Sequence, residues 1–161
     1  MSLFFFFGLL QVLFLNNIAL SPLGITPFIY VAAVMLIPFE TPAWFRLFFA
    51  FLLGLLIDIF TDTGGMHAFS LVLIAYLRPA VLNLIAPRDG YELSDRPQIT
   101  YLGLGWFLKY ASLLLIIHLV TFFFLDALSF SLFFSSIVTL FFTFIFSIVV
   151  IILSQYLVYR N

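Results

Sequence analysis

From Phe130 to Val158 the chain carries no charged side chain, and comparable tracts recur along it. They run from Leu3 to about Leu20, Pro42 to about Phe60, Met66 to about Ile85 and Thr100 to about Leu125, each broken by at most two charges. A helix of about 20 such residues crosses a hydrocarbon core about 30 Å thick. Backbone immersed in lipid must satisfy its own polar groups, so tracts of this length are viable as spanning helices. With 65% hydrophobic and 8% charged residues, the chain is excluded from the ordinary soluble globules. The expectation is an all-α integral membrane protein, a six-transmembrane-helix bundle forming one transmembrane domain over residues 1–161.

The run from Pro27 to Ile37 is the short one. A dozen helical residues rise only about 18 Å, so the count falls to five spans if this run is re-entrant. Ser21-Pro22-Leu23-Gly24 breaks the chain before it, and Pro38 to Pro42 forms a turn after it. Thr41 is the expected N-cap of the next helix, Pro42 its first residue and Trp44 an interfacial anchor. Pro79 is expected to kink or end the helix that contains it. Residues 86–99 make the one extended polar loop, with an Asp-Gly turn signal, and Thr100 is the expected cap of the helix beyond. Met1-Ser2-Leu3 lacks the basic region of a secretory signal, so the first tract is kept as a span.

In this alternation Arg46, Arg78, Arg88, Arg96, Lys109 and Arg160 all fall at one membrane face. The positive-inside rule makes that face, the 86–99 loop and the carboxyl terminus cytoplasmic. With six spans the amino terminus is cytoplasmic too. Asp58, Asp62, His67 and Asp126 then lie at the outer face.

The richest stretch is Ala50 to Leu77, an apolar helix ending in acid, a Gly64-Gly65 reversal and a second apolar helix. Gly54, Asp58 and Asp62 are four residues apart and share a face if the first helix extends that far. Gly64 and Gly65 permit the backbone to turn back. An aspartate in the last turn of a helix opposes the macrodipole, so Asp58 stands where electrostatics disfavours it. Asp58, Asp62 and His67 together could bind a divalent cation or a proton, or contact a partner or pocket ligand. Structural duties would equally explain them: Asp62 capping the next helix or facing water, and Asp58 bonding the amides of the reversing loop.

Elsewhere, Ser131, Ser135, Thr139, Thr143 and Ser147 repeat every four residues on the last helix. Small residues at that period let helices approach closely and let hydroxyls bond across or back along the helix, a packing signal. Lys109 can snorkel along its aliphatic stem, and His118 reads as a bundle histidine rather than part of a relay. There is no cysteine, and a net charge of -1 with six cations argues against nucleic acid. No nucleophile triad, phosphate loop, zincin motif or cofactor fingerprint occurs, so neither an enzyme nor a cofactor is expected.

Gly54, Asp58 four residues on, the polar turn through Asp62 to Gly65, Ala68, and Ala75-Tyr76-Leu77 together resemble the MreD family of rod-shape-determining membrane proteins. Pro27 and the Pro38 turn resemble family features too, whereas Phe28 and His67 depart from them. The resemblance implies a non-enzymatic scaffold of the bacterial cell-elongation and peptidoglycan-synthesis complex in the cytoplasmic (inner) membrane. It implies an MreC-like single-span partner, surrounding membrane lipid, and indirect association with the MreB filament and with RodA and its transpeptidase. MreD-like folds are similar to the substrate-binding subunits of energy-coupling-factor transporters, so the alternative expectation is a small-molecule binding subunit of that type.

Overall fold

The structure, a computed structural model, describes residues 11, 26–88, 90–91, 96–128, 134 and 136–158. Except for Gln11, the first tract lies outside the described residues, as do Ser131, Ser135, Asp89, residues 92–95 and Arg160. Six helices are described: α1 Val31–Met35, α2 Ala43–Thr61, α3 Met66–Leu84, α4 Ile99–Leu102, α5 Leu104–Ala127 and α6 Ile137–Val158. Among the described residues four helices, α2, α3, α5 and α6, are long and apolar enough to cross a membrane. The protein is thus an all-α, multi-pass membrane protein by length and composition.

The short run has an unusual place. Its helix, α1, has five residues and rises about 7.5 Å, too little to cross a bilayer by itself. Every residue from Phe28 to Ile37 is nonetheless buried, enclosed by α2, α3, α5 and α6. The run is apolar on all sides, which suits a segment with no free face. Irregular backbone at membrane depth is tolerated only where the protein satisfies it, and side chains of the surrounding helices do so. Phe28 N–H donates to Ser147 Oγ at 2.8 Å, and Ile29 N–H to Gln11 Oε1 at 3.0 Å. At the other end, the Met35 carbonyl accepts from the Tyr110 hydroxyl at 2.8 Å, and the Ile37 carbonyl accepts from Arg78 Nη2.

Helices α2 and α3 form an antiparallel hairpin, the most extensively packed pair among the described residues. The buried face of α2 is Arg46, Ala50, Leu53, Gly54, Ile57 and Asp58, one stripe at helical spacing. Its other side, from Trp44 to Phe60, exposes aromatic and aliphatic side chains, as does most of α6. Such faces suit lipid as solvent.

Pro79 does not end its helix, which continues to Leu84. Having no N–H, Pro79 leaves the Ala75 carbonyl without its helical donor, and Arg46 Nε on α2 donates to that carbonyl at 2.8 Å. Beyond the 86–99 loop, Gly103, with φ of 80°, separates α4 from α5. Thr100 therefore lies within α4, and the long helix begins at Leu104 without a side-chain cap. Likewise α2 follows Pro42 with no side-chain cap from Thr41.

Candidate functional site

Gly54 is where α2 and α3 touch most closely. A Cβ added there would stand 2.3 Å from Ala68 Cα and 2.6 Å from Ala68 N, so only glycine fits. That approach delivers the side chain one turn later. Asp58 Oδ1 accepts from His67 N–H at 3.0 Å and from the Thr63 hydroxyl at 2.6 Å, while Oδ2 accepts from Ala68 N–H at 2.9 Å.

His67 and Ala68 are the second and third residues of α3, whose first-turn amides have no helical acceptors. The residue preceding α3, Gly65, has no side chain with which to cap them. Asp58 supplies the cap from the neighbouring helix, its carboxylate at the positive end of the α3 dipole. The apparent conflict with its own helix dipole is resolved by the next helix.

Asp62 has a different fate. Helix α2 ends at Thr61, and Asp62 turns off the Gly54–Asp58 face in a left-handed conformation with φ of 55°. It is exposed, does not cap α3, and its carboxylate has no part in the hydrogen bonds at Asp58. Gly64 and Gly65, with φ of 60° and 98°, complete the reversal.

His67 extends inward. Its Nδ1 lies 2.5 Å from the Tyr30 hydroxyl, which also lies 2.8 Å from Nε2 of His118 on α5. All three side chains are buried, and the rings of Phe28 and Phe122 wall them in, with the His67 and Phe122 centroids 4.5 Å apart. A phenol has one proton, so Tyr30 donates to one imidazole and accepts from the other, and the two histidines carry complementary roles. Nδ1 of His118 is buried, and no described residue gives it a hydrogen bond.

No protein-family model, curated protein or solved structure matches the chain. The residues must therefore speak for themselves, and they divide into two polar clusters at different depths. The first is the Asp58, His67, Tyr30 and His118 group just described. The second, near the opposite end of the same helices, centres on Arg78. This guanidinium is 1% exposed, donates through Nε to the Tyr110 hydroxyl at 2.6 Å and through Nη2 to the Met35 and Ile37 carbonyls. The Phe39 ring centroid lies 5.9 Å from it.

Of the small residues on α6, Thr143 and Ser147 are buried and Thr139 is half-buried; Ser135 lies outside the described residues. Ser147 uses its hydroxyl on the Phe28 amide of the central segment, so this part of the seam meets irregular backbone as well as a helix. Lys109 and Asp126 are exposed on α5. Sequence reasoning passed over Tyr30, Tyr110 and Arg78 as functional groups. The available signal was a tyrosine and an arginine inside apolar tracts, each a polar group that the membrane interior requires to be partnered.

Proposed function

We propose that the protein is a non-enzymatic membrane scaffold of the bacterial cell-elongation machinery, an MreD-like component that binds an MreC-like single-span partner. The observation that supports this reading is the use of the hairpin's buried carboxylate. Asp58 accepts three hydrogen bonds from its own chain, and Gly54 lets it do so, which makes the Gly-x-x-x-Asp pair a device for holding two helices together. The centre of the bundle is likewise filled by the protein's own segment. Polar groups committed to internal packing suit a rigid docking body.

In this reading there are six spans counting the first tract and the central run, or five if the central run is re-entrant, and the fold is similar to that of energy-coupling-factor substrate-binding subunits. The arginine-rich end and the carboxyl terminus face the cytoplasm, by the positive-inside rule. The outer hairpin tip offers the exposed Asp62 to the exterior segment of the partner, while the apolar face of α2 meets the partner's span. Association with the MreB filament and with RodA and its transpeptidase follows through that partner.

The test is affinity purification in mild detergent, with identification of co-purifying membrane proteins. Recovery of a single-span MreC-like protein is expected. Recovery of an ATPase pair with a coupling subunit in its place would overturn the scaffold and favour small-molecule transport.

A further inference from the structure

The cationic end of the bundle poses a problem of charge. Arg46 and Arg78 are 8% and 1% exposed, and both have only neutral hydrogen-bond partners among the described residues: the Ala75, Met35 and Ile37 carbonyls and the Tyr110 hydroxyl. They are neighbours, because Arg46 bonds the Ala75 carbonyl and Arg78 lies three residues further along the same helix. Two like charges removed from water repel each other and forfeit hydration. Carbonyl dipoles satisfy donors but do not cancel net charge.

The donors are also incompletely used. Among the described residues nothing accepts from Nη1 of Arg78 or from either Nη of Arg46. Arg46 stands in the first turn of α2, a helix whose N-terminus has no side-chain cap and whose dipole adds positive potential there. Arg46 is three residues from the start of α2, about 4.5 Å along its axis, beside the exposed Trp44, a position that suits the headgroup layer in which interfacial tryptophans sit.

We propose that Arg46 and Arg78 form a binding site for a phosphate group, supplied by an anionic phospholipid headgroup or by free phosphate. Guanidinium groups offer planar pairs of N–H donors matched to phosphate oxygens, and two of them on one anion remove the repulsion that each otherwise feels. The Phe39 ring at 5.9 Å and the Tyr110 hydroxyl hold Arg78 in place, and Nη1 is the donor left for the anion.

The experiment uses the full chain purified in maltoside micelles. Native mass spectrometry measures retention of phosphatidylglycerol against diacylglycerol of the same acyl chains, and thermal unfolding is followed with and without inorganic phosphate at millimolar concentration. Retention of phosphatidylglycerol over diacylglycerol, reduced about tenfold by Arg46→Gln, establishes the site with lipid as the source. Stabilisation by inorganic phosphate alone, lost in the same variant, establishes it with free phosphate. Equal retention of the two lipids together with no phosphate effect, or binding unchanged in a folded Arg46→Gln protein, overturns the proposal. Should that variant fail to fold, the Trp44→Phe protein keeps Trp106 as its single tryptophan. Trp106 stacks on Tyr110 at 5.0 Å, and Tyr110 bonds Arg78. Its emission shifts on addition of the phosphate source if the site is real and stays fixed if it is not.

Discussion

Replacing Asp58 with asparagine changes one oxygen to an amide nitrogen at the tightest point of the hairpin. In the better orientation the remaining carbonyl keeps the Thr63 hydroxyl and the His67 amide, and the new NH2 confronts the Ala68 N–H, donor against donor. Ala68 is 5% exposed, so water cannot replace the lost acceptor. An orphaned buried amide costs about 1–3 kcal/mol, and the two surviving bonds each fall from charge-assisted to neutral strength, a further loss of about 1 kcal/mol apiece. The sum, about 3–5 kcal/mol, corresponds to a hundred-fold or greater fall in the folding equilibrium constant. Reversible unfolding by dodecyl sulfate in mixed micelles reads this directly. Thr63→Ala, which removes one of the three donors and leaves the carboxylate on both amides, is expected to cost about 1 kcal/mol in the same assay. An Asp58→Asn protein as stable as the wild type would refute the capping argument.

Gly54→Ala is expected to destabilise at least as strongly as Asp58→Asn, because the added methyl meets the Ala68 backbone rather than a movable side chain. A cysteine cross-link placed between α2 and α3 should form more slowly in that variant. Tyr30→Phe leaves both His67 Nδ1 and His118 Nε2 without their common partner, a loss of about 2–4 kcal/mol detectable in the same micelle titration. Asp62→Asn, which removes the charge at an exposed position and keeps a residue suited to its left-handed backbone, should leave stability unchanged while weakening recovery of the single-span partner in pull-down. Full recovery of that partner would remove Asp62 from the interface.

The membrane-spanning helices were legible because their apolar length leaves few alternatives, and α2, α3 and α5 begin and end within a few residues of where composition changes. The Gly54 and Asp58 spacing was legible as a pair, and bonding of Asp58 to loop amides stood among the readings of it. What spacing could not convey was that the first turn of α3 would supply the amides, since this depends on how far the Gly64-Gly65 turn folds back. Asp62 misled the eye through its four-residue offset, which holds only while the helix continues, and the helix stops one residue earlier. Tyr30 was hidden for a different reason. Its partners are 37 and 88 residues away, and no local periodicity encodes such separations. Pro79 read as a kink or an end of its helix, and it does not end it; the donor that replaces its missing partner, Arg46, sits on another helix, which local sequence cannot show.

The docking of Asp58 on the start of α3 is tested most directly by amide hydrogen exchange at His67 and Ala68, followed residue by residue in micelles. The account predicts that both amides are strongly protected in the wild type, despite standing in a first helical turn, and that Asp58→Asn exposes Ala68 while Phe69, bonded to the Gly65 carbonyl, changes less. Rapid exchange of both amides in the wild type, or protection of Ala68 that survives the substitution, would contradict it.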